Sequence, residues 1–336
     1  GHAIEARICA ENPDNNFLPA TGQLQVMRWP AHVSFVRDEV QPRVDTGFGE
    51  GDAVSPYYDS MIAKLIVWGA DRAQALARLD AALRDTHLVG LSSNVAFLRR
   101  VVATQAFATA DLDTALIERE RPALFGQPGL PPEVAAAGVV ARLLADEQAA
   151  EGADPWSRRD GWRLHGGARR RLELNVNGTS PTQALTLVVQ RLHDGATTLQ
   201  LGDRHWPFQA RSLGDGRHDV HLGEQRLTLT VYVRGERISV FAAGGSATLT
   251  QVDPLAHAGD HAGEAGRLTA PMPGKVIGFL AKAGDKVSRG QPLAVMEAMK
   301  MEHTISAPRD GQVLELLFAA GDQVTEGAEL LKLSNV

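Results

Sequence analysis

The feature that most constrains this chain is a duplication near its C-terminus. Ala270–Pro271, Gly274, Gly284–Asp285, Gly290 and Leu293 recur as Ala307–Pro308, Gly311, Gly321–Asp322, Gly327 and Leu330, each pair 37 positions apart. One offset held across Gly, Pro, Asp and Leu repeats both the turns and the apolar positions. Each half reads as short strands, Lys275–Leu280 and Gln312–Phe318, broken by Gly-Asp turns whose backbone conformations are costly for residues with a Cβ. One half alone has nothing on which to bury its apolar face. The two are therefore expected to close on each other as a small quasi-symmetric sandwich or flattened β-barrel.

Between the halves lies Met296–His303, and Lys300 falls in the connection. The expected arrangement is a tight hairpin with Lys300 at its exposed tip, Leu293–Glu297 running in and Glu302–Ser306 running out. A hairpin Lys is usually a solvated charge. Here Met299 and Met301 bracket it, and two flexible thioethers beside an exposed charge suit a surface read by another protein better than a core. A primary amine on a four-carbon stem, held on a rigid platform, can form an amide with a carboxylated cofactor. The segment Leu268–Lys332 closely resembles the biotinyl domain of biotin-dependent carboxylases, whose Ala-Met-Lys-Met signature is matched by Ala298, Met299, Lys300 and Met301. The resemblance implies biotin attached covalently to Lys300, with Glu297, Ala298, Met299 and Met301 recognised by biotin protein ligase. Lipoyl domains share the duplicated fold, but their Lys is typically preceded by Asp and followed by Ala, which this sequence lacks.

The 336 residues suffice for two or three domains with real cores, and 44% hydrophobic with 22% charged residues is ordinary for a globular protein. A net charge of −6 without a basic patch argues against a nucleic-acid or anionic-membrane partner. The run Arg169–Arg170–Arg171 reads as a solvated strand edge. A single cysteine, Cys9, rules out an internal disulfide framework and agrees with a reducing compartment. No apolar stretch approaches the roughly 18 residues that span a bilayer.

Residues 1–120 open abruptly on an alternating strand, Ala3–Ala10, which suggests a piece of a longer chain. Further strands are expected at Gly22–Trp29, Val33–Val40 and Met61–Trp68, with a turn-rich stretch at Asp45–Asp52. Asp71 is placed to cap a helix over Arg72–Arg84, with Leu76, Leu79 and Leu83 on one face. Ser92 or Ser93 is placed to cap a second, and Leu112–Glu118 reads as a short third. The matching residues His2–Ala3–Ile4–Glu5–Ala6–Arg7–Ile8, Phe17–Leu18–Pro19 with Gly22, and Tyr57 to Leu65 make this segment resemble the C-terminal subdomain of the biotin carboxylase component, an ATP-grasp fold. That resemblance implies that Arg7 stabilises negative charge on the biotin ureido oxygen, a task that suits a fixed guanidinium. Asp59 is the candidate to orient Arg7, since a charged donor held in place commonly has a carboxylate partner. The family's ATP-binding loop and metal-binding glutamates lie upstream in its order. ATP and Mg2+ (or Mn2+) are therefore expected to be bound by that missing part, with no metal site in these residues and no biotin carboxylation by this piece alone.

Residues 121–254 combine one Ala-rich helix, Glu133–Ala150, with strand and turn. The helix carries Val134, Val139, Val140, Leu143 and Leu144 on its apolar side. Alternating runs at Arg171–Val176, Ala184–Leu192, Thr197–Leu201, Arg226–Val233 and Arg237–Phe241 are separated by Asn177–Gly178, Asp194–Gly195, Asp215–Gly216 and Gly235, which are hairpin signals. About eight antiparallel strands are expected to curl around the helix. His165, His193, His205, His218 and His221 lack metal-ligand spacing, and His218 and His221 on one strand point to opposite faces. In organisation this region resembles the mediating domain of acyl-CoA carboxylase α subunits, which implies that it holds the β subunit. Residues 255–267 read as a flexible linker and 268–336 as the carrier domain.

The expectation for the whole is a multidomain, mainly β protein with some α. It combines the C-terminal biotin carboxylase subdomain, a β-barrel wrapped on a helix and a biotinyl/lipoyl-like flattened β-barrel. The resemblance implies the α subunit of a biotin-dependent acyl-CoA carboxylase, nearest in organisation to those acting on 3-methylcrotonyl-CoA, with geranyl-CoA, propionyl-CoA or another thioester as alternatives. A second reading is a carrier and assembly fragment with no catalysis of its own. Implied partners are a carboxyltransferase β subunit, further α subunits in a hetero-oligomer and the ligase. The expected compartment is bacterial cytoplasm, or the mitochondrial matrix if the source is eukaryotic.

Overall fold

A computed structural model describes residues 1–126, 129–158, 161, 163, 166–177, 183–192, 194–251, 267–270, 272–298, 301–325 and 327–334. Met299, Lys300, His165, His193, Gly178 and the linker up to residue 266 lie outside the described residues. The chain forms two compact units, Gly1–Phe125 with His261–Val336, and Gly126–Asp260.

In the first unit, β1 (His2–Cys9), β2 (Arg43–Thr46) and β3 (Met61–Gly69) make an antiparallel sheet with β3 central. Alternation along β1 sends Ala6 and Ile8 into the core and leaves Glu5 and Arg7 outside. Helix α1 (Arg72–Arg84) begins where the sequence places it, because Asp71 accepts from the Gln74 amide at 2.8 Å. Its Leu79 and Leu83 join the core under the sheet, and Leu76 on the same face is also buried. The expected strand Val33–Val40 does not form. Asp38 accepts from the Val40 and Gln41 amides at 2.7 Å each, Phe35 takes a φ of 58°, and a single Val33–Arg43 bridge is all that pairs. Gly22–Trp29 splits into Gly22–Gln23 and Val26–Arg28, which pair with Ala53–Val54 and His87–Val89. Helix α2 (Val95–Ala103) starts after Asn94 rather than from a Ser92 or Ser93 cap. The expected third helix narrows to Leu116–Arg119, preceded by Gln105–Thr109.

The second unit is a closed barrel of eight antiparallel strands around a helix, as expected. The strands are β4 (Ala168–Val176), β5 (Gln183–Arg191), β6 (Thr197–Leu201), β7 (Arg204–Gly214), β8 (Arg217–Leu222), β9 (Gln225–Arg234), β10 (Arg237–Ala242) and β11 (Gly245–Gln251). Helix α3 (Pro132–Ala149) differs from the one-sided helix read from the sequence, since every residue from Val134 to Ala141 is buried. Short side chains let the barrel close on it. A Cβ built at Gly138 would lie 2.6 Å from Val240 Cγ1. Arg169, Arg170 and Arg171 are exposed as read, but in a closed barrel they lie on no edge, and Arg170 bonds Glu147 of α3 at 2.8 Å while Arg191 grips the same carboxylate.

The carrier segment contains β12 (Arg267–Thr269), β13 (Gly274–Phe279), β14 (Lys286–Val287), β15 (Pro292–Ala298), β16 (Met301–Ser306), β17 (Gly311–Leu316), β18 (Gln323–Val324) and β19 (Glu329–Ser334). They form two four-stranded sheets, β12-β19-β17-β14 and β16-β15-β13-β18. Each half lends its short strand to the other's sheet. The symmetry extends to single bonds: Val276 N donates to Asp322 O and Val313 N to Asp285 O, both at 2.9 Å, and Gly321 N to Val276 O and Gly284 N to Val313 O, both at 2.7 Å.

His218 and His221 do face opposite sides of β8. His218 is 1% exposed with neither ring nitrogen partnered, and His221 is exposed. Burial, then Arg142 of α3, lowers the His218 pKa, and Asp146 opposes them. The unfolded chain therefore binds a proton that the folded barrel excludes, and stability falls as pH drops through about 6.5. His218→Leu is expected to flatten the dependence of the barrel's denaturation midpoint between pH 7.5 and 5.5; an unchanged slope would show that His218 is not held neutral.

Candidate functional site

Two places carry the residues singled out in the sequence. The first is the outer face of β1-β3-β2. Register sets Arg7 opposite Lys64 and Lys64 opposite Asp45, with Glu5, Ile66 and Arg43 in the next row. The Arg7 main chain is fixed from beneath, because Asn94 donates to Arg7 O and accepts from Cys9 N at 3.0 Å each, across the irregularity at Ile8/Cys9. With its amide turned to β1, Asn94 makes no side-chain cap bond to α2. The Arg7 side chain is 72% exposed and bonds Glu5 Oε1 through Nε at 3.3 Å. Asp59 does not orient it: Asp59 Oδ1 accepts from the Met61 amide at 2.9 Å, and no hydrogen bond or ion pair joins Asp59 to Arg7. Two strands away Asp45 is buried and accepts from Arg43 Nε at 2.8 Å and from the Phe35 amide at 2.8 Å. The Arg43 bond holds the Asp45 carboxyl below the usual range, and the Phe35 amide adds to it against burial.

Cys9 follows Arg7 by two positions. Burial first, with Glu11 adding, pushes its thiol up to about 11. It is an inert thiol at neutral pH.

The second place is the β15–β16 hairpin. Its pairs are Met296 with His303, Glu297 with Glu302 and Ala298 with Met301, so the sequence leaves two residues, Met299 and Lys300, to join Ala298 to Met301. Met299, Lys300 and the side chain of Met301 lie outside the described residues. Met296 and Ala298 are 1% and 3% exposed and root the hairpin in the core. Glu297 is exposed, facing Glu302 on one side and Lys275 on the other. Of the four residues expected to meet a ligase, Glu297 thus faces solvent and Ala298 packs inward. Gly274 lets β13 run close under the hairpin root, since a Cβ there would lie 2.6 Å from Glu297 O. Gly311 repeats this contact in the second half, 2.8 Å from Ser334 O.

Sequence reading missed Asn94 and Glu5. No local pattern announces Asn94, which reaches β1 from 87 residues away. Glu5 had a signal, for residues two apart on a strand share a face.

Three family models match the chain in series: biotin carboxylase C-terminal domain over residues 5–119, methylcrotonyl-CoA carboxylase alpha-subunit BT domain over 131–254, and biotin-requiring enzyme over 266–333. Methylcrotonoyl-CoA carboxylase subunit alpha, mitochondrial, of Dictyostelium discoideum is 33% identical over 91% of this chain and 44% of its own length. The chain carries a biotin carboxylase C-terminal domain, a BT domain and a biotin-requiring domain in series. The mouse subunit alpha of methylcrotonoyl-CoA carboxylase is 32% identical, with 91% of this chain and 43% of that protein covered. The mouse propionyl-CoA carboxylase alpha chain is 28% identical, with 91% and 42% covered. The chain thus spans less than half the length of these carboxylase α subunits.

The hairpin fits biotin as a covalent group. The described ladder ends at the pair Ala298–Met301 on a rooted sheet, and between them the sequence supplies Lys300, an amine of the kind that receives a carboxyl. In a segment built this way the Gly274 approach sets how firmly the hairpin root is seated. Gly274→Ala is expected to cost the carrier segment about 1–3 kcal/mol, read from its denaturation midpoint. An unchanged midpoint would show that β13 does not need the close approach.

Proposed function

We propose that this chain is the carrier, mediating and partial carboxylase portion of an acyl-CoA carboxylase α subunit, with biotin joined by an amide to Lys300. The observation that supports this most is the β15–β16 ladder, paired to within two residues of closing. When attached, biotin supplies a ureido nitrogen that takes up and gives up a carboxyl group. Lys300 supplies the tether, and tethering replaces diffusion with a high effective concentration. Arg7 offers a permanent positive charge to the ureido oxygen. The bicarbonate and ATP-Mg2+ chemistry is assigned to the part of an α subunit upstream of His2. Glu297, Met299 and Met301 meet the biotin protein ligase, while Ala298 seats the strand.

The proposed acceptor is 3-methylcrotonyl-CoA on a carboxyltransferase β subunit, since the barrel segment matches the BT domain named for methylcrotonyl-CoA carboxylase. The likeness to a propionyl-CoA carboxylase alpha chain keeps propionyl-CoA as the second reading. An anchor for the β subunit stands at the end of α3. Trp156 is 94% exposed on a turn braced by Asp154 Oδ1, which accepts from the Trp156 amide at 2.9 Å, and by Ser157 Oγ, which accepts from the Gly152 amide at 2.8 Å. An indole left bare on a fixed turn is the kind of residue that dominates an interface.

Mass spectrometry of the peptide that holds Lys300 tests the central assignment: a biotin increment confined to that peptide is expected, and a lipoyl increment or none contradicts it. Lys300→Arg should abolish retention on avidin while shifting stability by no more than about 0.5 kcal/mol. Trp156→Ala should weaken β-subunit binding at least about tenfold with the barrel's melting unchanged, measured by co-purification and titration. Full-strength binding by that variant would move the interface elsewhere.

A further inference from the structure

We propose that Glu5 is the positioning residue of Arg7, holding the guanidinium by Nε so that both terminal nitrogens stay free to meet an incoming oxyanion. The inference rests on the assignment of Arg7 to the ureido oxygen and names what aims it.

Three observations carry it. Glu5 Oε1 lies 3.3 Å from Arg7 Nε, two residues away on the same face of β1. This is the only hydrogen bond of the Arg7 side chain among the described residues, so its two terminal nitrogens are uncommitted. A guanidinium bonded at Nε presents its remaining donors as a planar fork, the geometry that matches an oxygen anion. The Arg7 backbone is already fixed by Asn94 at Arg7 O and Cys9 N, so a carboxylate on the side chain removes the remaining freedom. Glu5 is itself set in a wider arrangement: it favours the charged form of Arg43, whose main partner is the buried Asp45. Across the sheet the two rows read Arg7, Lys64, Asp45 and Glu5, Ile66, Arg43. Lys64, directly opposite Arg7 in register, sits between Arg7 and Asp45 and leaves Glu5 as the carboxylate on the Arg7 side. Asp59, whose Oδ1 accepts from the Met61 amide, makes no hydrogen bond or ion pair with Arg7.

An ion pair this exposed, 72% and 40% at its two side chains, adds little to folding. The effect of removing it is therefore expected in rate rather than in stability.

The test has two readouts. In this chain, the Arg7 Nε–Hε resonance, assigned by its loss in Arg7→Lys, should exchange with solvent about tenfold faster in Glu5→Ala than in the parent, and Glu5→Gln, which keeps an acceptor oxygen, should restore most of the protection. In the full-length α subunit, kcat for biotin carboxylation should fall about tenfold in Glu5→Ala and further in Glu5→Lys, with the KM for ATP unchanged and Glu5→Gln within about twofold of the parent. Should Glu5→Ala fold poorly, Glu5→Gln and Glu5→Lys give the same comparison. A parental rate and unchanged exchange in Glu5→Ala, with Arg7→Ala slow, would overturn the role of Glu5 alone. A parental rate in Arg7→Ala would overturn the assignment of Arg7 and this inference with it.

Discussion

Each half of the carrier segment is completed by backbone hydrogen bonds from the other. Val276 and Gly284 in the first half bond Asp322 and Val313 in the second, and Val313 and Gly321 return the same bonds to Asp285 and Val276. Neither half satisfies its own strand ends, and an unpaired buried backbone group costs about as much as a lost hydrogen bond. The halves are therefore obliged to fold as one body. That body roots Met296 and Ala298, and on them stands the β15–β16 hairpin. The turns that make the exchange possible sit at Gly284 and Gly321, with φ of 96° and 99°, and at Gly290 and Gly327, with φ of 84° and 79°. These values are open to Gly at little cost and to other residues only with strain. Both halves also carry an irregularity at the same place, between Val276 and Gly278 and between Val313 and Glu315, and each pushes one apolar residue, Ile277 or Leu314, toward solvent.

The other segments solve a different problem with different means. In the barrel unit a helix apolar around its whole first half needs walls on every side, and eight strands supply them. Glu147 then binds the helix to the strands through Arg170 and Arg191. In the N-terminal sheet the inner face is ordinary hydrophobic packing, while the outer face holds Glu5, Arg7, Arg43, Asp45 and Lys64. Such a set is a poor investment in stability at the surface and a good one in placing charge.

What the sequence disclosed was local. The 37-residue offset, the Asp71 cap, the strand Thr197–Leu201 and the opposed His218 and His221 all follow from turn chemistry or a period of two or 3.6, and the structure shows each of them. The readings that failed depended on contacts distant in sequence or on side chains that serve the backbone. Val33–Val40 alternates well enough for a strand, yet Asp38 turns the chain back on itself. Helix α3 reads as one-sided because Ala gives no clue to which of its faces is covered. Asp59 looked like a partner for Arg7 because a carboxylate was wanted there, and the nearer one at Glu5 was already on the same strand face. The site itself is half legible: motif names Arg7 and the hairpin residues around Lys300, and the strand period puts Glu5 beside Arg7, but Asn94, which fixes the Arg7 main chain from 87 residues away, is visible only in the fold.

Native-state hydrogen exchange of the carrier segment tests most directly whether the two halves stand or fall together and so hold the hairpin as one rigid support. The amides of Val276, Gly284, Val313 and Gly321 should share one protection factor and lose it together at the denaturant concentration where the whole segment unfolds. Loss of protection at Val276 and Gly284 well before Val313 and Gly321, or the reverse, would show two independent halves and contradict the account.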